Sequence, residues 1–478
     1  MSISKKDILH YIIMFGIMMI IGSITPFGEI TPLGMKILAI TIGLIYGLIT
    51  VDDSISVCMF GFLTVMLSGY KPLAGFVISG LSNPVVVMVI VSTIFAGLVA
   101  KTNCLNFVSK KILSSNIMIG SPWRIVFSIF MLCMVAAFCG MGYAGIFLIW
   151  AIVIEILEQC NMEKKSAFST FMLSMVSVTV ILTTFAFPWR AGTLQFVALY
   201  NPTLFDDVSY FKHMIFIFVM MVIFIFCMMF IAKYVFKFDI SNLQLTDDVI
   251  EKYKNTKITS VEKYGFFMVV IFTITMLLPS ILPATMQLSM FLNKFGLIGI
   301  IFIMLIISSF LRNEQDNQIF KISDCHEMIP WRIVWLLALI MPLSAVMQLP
   351  ECGVSQTISN ILFPVFNNMP ISLFMIAVTV IVAILTQVGN NTVLAIVFMP
   401  IAYSLCVSLG GNPYVLFIML IMALQCDMTT PAGSANGALV HGHENINRKY
   451  AYIFGILEAF VVCLLCVFFI MPIGIMMF

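Results

Sequence analysis

Residues 371–408 read ISLFMIAVTVIVAILTQVGNNTVLAIVFMPIAYSLCVS, a run without a charged residue. Two apolar segments, 371–388 and 393–408, are joined here by the polar turn Gly389-Asn390-Asn391-Thr392. Glycine and asparagine favour turns and helix ends, so a helix is expected to break at this point. The pattern predicts a helical hairpin that enters a membrane and returns to the same side.

Three further apolar stretches are interrupted in a similar way. The segments 124–139 and 143–157 meet at Cys139-Gly140-Met141-Gly142 and predict a first hairpin. Because proline and glycine disrupt helices, two longer stretches predict spans with an unwound middle. These are 166–201, interrupted at Pro188-Trp189-Arg190-Ala191-Gly192, and 413–441, interrupted at Pro431-Ala432-Gly433-Ser434.

The composition places these segments in a lipid bilayer. The 478 residues are 61% hydrophobic and only 10% charged, whereas soluble domains carry about 25% charged residues. Backbone groups in a bilayer must pair internally, which leaves helices or closed barrels. Unbroken runs such as Met214–Ile231 lack the alternation of barrel strands. The sequence therefore predicts an all-α polytopic membrane protein, with no signal for nucleic-acid binding or for a cysteine metal centre.

Nine continuous spans are expected beside the interrupted stretches. With the two unwound spans they give about 11 transmembrane segments plus two re-entrant hairpins. A cytoplasmic N-terminus and an outer C-terminus leave few basic residues outside, as the positive-inside rule requires of an inner or plasma membrane protein. Those outside are Lys36, Lys71, Lys212 and Lys294. The spans lie near 8–25, 34–50, 55–69, 83–100, 209–232, 265–283, 290–311, 330–350 and 450–477.

The two halves look like an internal repeat, with Gly140 corresponding to Asn390 at an offset of about 250 residues. The first hairpin opens from the inside and the second from the outside, and such inverted repeats are typical of secondary transporters. The expected regions are first-repeat scaffold helices (1–120), a first-repeat transport region (121–205), a connecting helix with a cytoplasmic linker (206–262), second-repeat scaffold helices (263–368), a second-repeat transport region (369–445) and a last transmembrane helix (446–478).

Three stretches resemble the divalent anion/sodium symporter family. Leu81–Val87 is similar to the family's FSNPAVI motif, and Ile329–Gly353 is similar to its I-x-W span. Asn390–Pro400 is similar to its SNTATAALLLP hairpin tip, with the proline in register. The resemblance covers residues 30–478. It implies a homodimer with elevator-type scaffold and transport domains, in which both hairpin tips contact a carboxylate-bearing substrate.

The resemblance also implies binding residues at the second tip. Substrate is expected at Asn390, Asn391 and Thr392. A helix N-terminus attracts a carboxylate, and unwound carbonyls suit a cation; the alternative is a polar turn that only caps helices. Apart from Na⁺ as a possible coupling ion, no cofactor is expected. The Na⁺ site would comprise Thr386, Gly389, Asn391 and Gly433.

The first tip departs from the family pattern. Gly140, Met141 and Gly142 stand where the family has Ser-Asn-Thr, and a methionine side chain offers no oxygen to Na⁺. A cation site here is expected to be lost, unless backbone carbonyls alone form one. Gly142 and Tyr143 remain candidates for substrate contact.

Arg190 and Asp427 are the two charges expected deep in the membrane, where ionised side chains are rare and usually functional. In one interpretation the Arg190 guanidinium replaces the missing cation and binds a substrate carboxylate through its planar fork. In the other it pairs with Asp427. Asp427 could also hold Na⁺ or exchange a proton, so both residues are candidates for coupling.

Hydroxyl and amide side chains beside the interruptions complete the candidate site. Glu155 and Glu458 are interpreted as structural, and the spacing of His441 and His443 does not favour a metal site. The polar candidates are Thr193, Gln195, Thr429, Thr430, Ser434 and Asn436.

Together these features predict a secondary active transporter of a small organic anion, with a di- or tricarboxylate as the expected substrate and Na⁺ symport or anion exchange as the mechanism. The alternative is a proton-coupled carrier or exchanger of a monocarboxylate, zwitterion or inorganic anion. An enzyme is not expected, because no nucleophile–base pair or metal-ligand set stands at membrane depth. A phosphate-binding loop, which an ATP-driven pump needs, is also missing.

Overall fold

The computed structural model describes residues 5–51, 53–113, 121–206, 208–243, 255, 257–283, 285–354, 356–357, 360–361, 369–431 and 433–478. Within these ranges the chain is helical, without a strand and with one isolated bridge between Arg312 and Gln318. Residues 244–254 and 256 of the expected linker lie outside the described ranges. The all-α prediction is confirmed.

Eleven named helices of the described chain precede the linker. Local caps set several of their starts: the side chains of Asn83 and Ser166 accept backbone hydrogen bonds at the first turns of their helices. The helices are α1 (Lys5–Gly22), α2 (Pro32–Thr50), α3 (Ser54–Ser68), α4 (Leu73–Leu81), α5 (Pro84–Lys101), α6 (Cys104–Leu113), α7 (Pro122–Phe138), α8 (Gly142–Gln159), α9 (Ala167–Thr184), α10 (Ala191–Tyr200) and α11 (Tyr210–Phe230).

Ten more helices follow the linker in the described chain. A capping box of Thr259 and Glu262 starts the first of them. They are α12 (Ser260–Ile281), α13 (Gln287–Phe310), α14 (Cys325–Met328), α15 (Trp331–Gln348), α16 (Ile371–Leu385), α17 (Asn391–Ser408), α18 (Pro413–Gln425), α19 (Ala435–Gly442), α20 (Arg448–Leu465) and α21 (Met471–Met477).

Helix pairs form at the positions of both expected hairpins, and helices break at both expected interruptions. α7 and α8 meet at residues 139–141 in the first tip, and α16 and α17 meet at residues 386–390 in the second tip. The first break, residues 185–190, separates α9 from α10. The second break, residues 426–434, separates α18 from α19, and Ala432 within it lies outside the described ranges. The short helices α4 and α6 are not predicted by the sequence.

The chain is a multi-span membrane protein by the length and composition of its helices. Nine helices of the described chain are long and apolar enough to cross a bilayer, and a bent pair at Ile322–Met328 and Trp331–Met347 makes ten. A span needs roughly 20 residues to cross about 30 Å of hydrocarbon. α3, with 15 residues, is the shortest of the nine expected continuous spans. α8 and α17, the second arms of the hairpins, are themselves 18 residues long.

The interrupted helices lie at the centre of the molecule. In α9, 83% of the span is buried inside the protein, against 28–44% for the other candidate spans. The first hairpin packs on α9 and the second packs on α18. In addition, α10 contacts α17 of the second hairpin, and α19 contacts α9. The two tips and the two breaks are therefore brought into one polar region surrounded by helices whose apolar faces are exposed.

Candidate substrate and cation site

The second tip is built on a capped helix start. The side-chain oxygen of Asn390 accepts hydrogen bonds from the backbone N–H groups of Thr392 (3.0 Å) and Val393 (3.3 Å). This cap satisfies two of the free N–H groups at the start of α17. Asn390 is exposed. Because its oxygen already serves the helix, its NH₂ group is the part left to meet a ligand.

Hydrogen bonds tie the second tip to the second break. The Thr386 hydroxyl donates to the carbonyl of Leu424 (2.9 Å), and the Gln387 amide donates to the carbonyl of Cys426. The Thr430 hydroxyl in turn donates to the carbonyl of Gln387. These contacts occupy backbone groups that an unwound helix leaves free. The sequence analysis does not predict a role for Gln387. The feature that could have indicated one is an amide side chain within an apolar run.

Gly433 brings three carbonyl oxygens together. A Cβ atom at this position would lie 2.7 Å from the oxygen of Thr386, 2.9 Å from that of Asp427 and 3.1 Å from that of Gln387. The missing side chain is what allows the three backbones to approach. Carbonyl oxygens are hard donors of the kind that hold alkali cations in channels and transporters.

The structure brings some of the residues predicted to hold Na⁺ into contact. Thr386 and Gly433 meet at the carbonyl cluster, and Thr386 contributes its backbone oxygen there because its hydroxyl is bonded elsewhere. Asn391 lies beside the cluster through a hydrogen bond to Asp427. The α-carbon of Gly389 lies against the carbonyl oxygen of Leu385 and the side chain of Leu394 in its own hairpin.

Asp427 lies where the second tip, the second break and the first hairpin meet. It is 1% exposed, and its Oδ2 accepts a hydrogen bond from Asn391 Nδ2 at 2.9 Å. Its Oδ1 has no hydrogen-bond partner among the described residues. Ser434 and Asn436 face the carboxylate from the second break, and Tyr143 lies near it on the first hairpin. A single buried acid is thus shared by three elements.

Arg190 lies beneath the first tip. It is 6% exposed, and its Nη2 donates to the carbonyl of Phe138 at 2.7 Å, at the C-terminal end of α7. The guanidinium carbon is 5.6 Å from the centre of the Phe187 ring. Carbonyls at a helix end carry partial negative charge and stabilise a cation. The guanidinium occupies space that a side chain at Gly140 would need, since a Cβ there would lie 2.5 Å from Nη2.

The interpretation in which Arg190 pairs with Asp427 is wrong for this structure. Arg190 is held by a carbonyl of the first hairpin, whereas Asp427 is held by Asn391 of the second tip. Neither residue is a charge neighbour of the other. The physical reason is that each broken helix packs on its own hairpin, which supplies the nearer partner.

The remaining predicted residues divide into buried and accessible ones. Thr193 is buried and its hydroxyl has no partner in the described part of the chain. Asn436 is buried and accepts a hydrogen bond from the hydroxyl of Ser177 on α9. Gln195 Nε2 lies 3.5 Å from Thr392 Oγ1, which joins α10 to the second tip. Those at least partly accessible are Gly142, Tyr143, Thr392, Thr430 and Ser434, the last of which caps α19.

Sequence comparison finds a family model and several curated relatives. The model for the sodium:sulfate symporter transmembrane region matches residues 5–478. A sodium-dependent high-affinity dicarboxylate transporter of Caenorhabditis elegans is 28% identical over 28% of this chain and 23% of its own length. A sodium-dependent dicarboxylate transporter of Staphylococcus saprophyticus is 26% identical over 34% of this chain and 31% of its own length. The alignments therefore span less than a third of these relatives.

Solved structures match along almost the whole chain. The YdaH transporter of Alcanivorax borkumensis superposes with a TM-score of 0.59 at 11% identity, covering 98% of both chains. The antimetabolite efflux pump MtrF of Neisseria gonorrhoeae gives a TM-score of 0.53 at 12% identity, covering 96% of this chain and 92% of its own. At such low identity these matches establish a shared fold and nothing further.

Proposed function

Because this chain belongs to the divalent anion/sodium symporter family, we propose that it is a secondary active transporter of an organic anion, a di- or tricarboxylate. Partial relatives named as sodium-dependent dicarboxylate transporters support the substrate class. The polar region between the tips and breaks supports the location of the site. Accessible donors at the second tip, including Asn390 and Thr392, would bind a substrate carboxylate together with Gly142 and Tyr143, and Thr430 would line the site.

The second tip would carry the coupling cation. The observation that carries this proposal is the cluster of carbonyl oxygens at Gly433, which suits Na⁺ and excludes a side chain. Thr386, Gly433 and Asn391 would hold the ion, and Gly389 would act by letting the tip bend. The negative charge of Asp427 would stabilise the bound cation at this tip. Binding of Na⁺ beside the substrate site would then favour an anionic substrate.

At the first tip, the guanidinium of Arg190 would take the place of a bound cation. Arg190 places a guanidinium under Gly140, where the tip lacks the Ser-Asn-Thr of the family pattern. Among the described residues, Arg190 donates one hydrogen bond, from Nη2 to the carbonyl of Phe138, and its Nε has no partner. Its charge would therefore be available to a substrate carboxylate above the tip, and the neighbouring Thr193 would support it.

The remaining architecture follows from the family and from the repeated hairpin and broken helix. We expect an inverted repeat, a homodimer and an elevator movement of the regions 121–205 and 369–445 against the scaffold helices. The N-terminus would lie in the cytoplasm and the C-terminus outside. α10 of the first half contacts α17 of the second half, and α19 of the second half contacts α9 of the first. These contacts between the halves support movement of both hairpins as one body.

Uptake of labelled succinate into proteoliposomes tests the proposal. Uptake that requires an inward Na⁺ gradient would support symport through the second tip. Uptake that requires only unlabelled dicarboxylate inside would support exchange, with Arg190 as the permanent cation. Failure under both conditions, with folded protein, would overturn the dicarboxylate assignment in favour of a proton-coupled carrier of another substrate.

A further inference from the structure

A second buried acid lies behind the second break, outside the site described above. Glu458, in the middle of α20, is 0% exposed. Neither of its carboxyl oxygens has a hydrogen-bond partner among the described residues. Moving an ionised carboxylate from water into an apolar interior without a partner is so unfavourable that the group takes up a proton instead. The geometry therefore points to a neutral Glu458 in this conformation.

Close packing sets this part of α20 directly against the break. Gly455 lies one turn before Glu458, and a Cβ added to it would be 2.7 Å from the backbone nitrogen of Thr429 and 2.9 Å from its hydroxyl oxygen. Residues three apart share a helix face, so Glu458 lies on the side of α20 that meets the break. Thr429 is 7% exposed, and its hydroxyl also lacks a partner in the described chain. Polar groups without partners thus lie on both sides of this contact.

Among the described residues, no cation acts on Glu458. α20 packs against α9, α11, α16, α18 and α19. α9 and α16 contain no titratable residue at all. In the described chain, the charge that acts on Glu458 is that of Asp427, and Glu458 in turn acts on the thiol of Cys426. The other titratable side chains on these elements and on α20 are Tyr210, Lys212, His213, Cys227, Tyr414, His441, Arg448, Lys449, Tyr450, Tyr452 and Cys463.

We propose that Glu458 is a proton-binding site, which holds a proton in this conformation and releases it when positive charge arrives at the second break. The proton site rests on burial and packing alone. Its link to transport rests on the function proposed above. A cation at the Gly433 carbonyls would favour the ionised form of Glu458, so the cation and the proton would oppose each other. By reciprocal linkage, lowering the pH would weaken cation binding.

Infrared spectroscopy of the purified protein in lipid nanodiscs tests the proton site without any transport assay. Wild-type protein at neutral pH should show a protonated carboxylic C=O band that exchanges slowly in D₂O. Glu458→Gln should lose a component of this band, while the exposed control Glu444→Gln should retain it. Glu458→Leu serves as a second neutral variant if the first does not fold. A spectrum unchanged in the neutral variants would overturn the proposal.

Proton release on addition of NaCl tests the coupling. In weakly buffered solution with a pH indicator, wild-type protein and Glu444→Gln should release protons, and Glu458→Gln should release none. Equal release from Glu458→Gln would overturn the assignment of the proton to Glu458. If no variant releases protons while the infrared band still depends on Glu458, the proposed sodium coupling is wrong and the proton site stands.

Discussion

The guanidinium of Arg190 fills the space above the α-carbon of Gly140, so that no side chain fits at Gly140 while Arg190 is in place. The two residues are 50 positions apart and belong to different elements, the first break and the first tip. Their contact places a positively charged side chain at a tip that has Gly-Met-Gly where the family pattern has Ser-Asn-Thr. It also makes the first tip sensitive to the addition of a single methyl group at Gly140.

Gly140→Ala should destabilise the protein and abolish uptake. Its backbone φ of +71° disfavours a side chain, and the added methyl group would collide with Arg190. Strain and overpacking of this kind cost about 1–3 kcal/mol each. Gly142→Ala is the matched control, since φ is +44° but nothing lies within 4 Å of the added atom. Thermal unfolding in detergent should show a larger loss for Gly140→Ala, and equal losses would contradict the clash.

Arg190→Gln should reduce uptake at least tenfold, because a neutral amide cannot supply the positive charge at the first tip. Arg190→Lys keeps the charge but not the planar fork, so it should retain part of the activity with a raised KM. Arg124→Gln, at the exposed start of α7, is the control for removal of a basic residue. KM values equal to wild type in both Arg190 variants would remove this residue from the binding site.

Gly433→Ala should weaken the dependence of uptake on Na⁺. The new methyl group would lie 2.7–3.1 Å from three carbonyl oxygens, and at least one must turn away. Loss of a buried polar interaction costs about 1–3 kcal/mol, so the half-saturating Na⁺ concentration should rise roughly tenfold. Gly442→Ala, on the same segment but with open space around it, should behave as wild type. A Gly433→Ala variant with normal Na⁺ dependence would place the cation elsewhere.

Asn391→Asp should impair uptake more than Asn391→Ala does. Its amide donates to Asp427 across 2.9 Å, so a carboxylate there would put two like charges in contact. The double variant Asn391→Asp with Asp427→Asn restores one donor and one acceptor and should recover part of the lost uptake. A double-mutant cycle measures this coupling. Additive effects, without recovery, would show that the hydrogen bond does not matter for transport.

Asn390→Ser should leave stability nearly unchanged, whereas Asn390→Ala should lower it by about 1 kcal/mol. The reason is that the Asn390 oxygen caps α17, and serine can replace it in that role. Uptake by Asn390→Ser then isolates the amide group: a raised KM at normal stability indicates substrate contact. Equal stability of the serine and alanine variants would contradict the cap.

The positions of the hairpins and breaks follow from the sequence alone. Gly389-Asn390-Asn391-Thr392 lies between two apolar segments, and so does Cys139-Gly140-Met141-Gly142; both turns form within a few residues of their expected places. The signal is local, because a helix in lipid can unwind only where glycine, proline or polar side chains make it possible. The helices α4 and α6 carried no such signal, since short helices lack the length that identifies a span.

The partners of the buried polar groups were decided only by the tertiary structure. The sequence predicts that Arg190 and Asp427 lie deep in the membrane but leaves their pairing open. In the structure, Arg190 is bonded to Phe138 of the first hairpin and Asp427 to Asn391 of the second. Likewise, backbone oxygens of Thr386 and Gln387 reach Gly433 across more than 40 residues. Hydrophobicity and helix-breaking residues are properties of a segment and can be read along the chain. A hydrogen-bond partner depends on which helices touch and at what height, and that is set only when all of them are packed together.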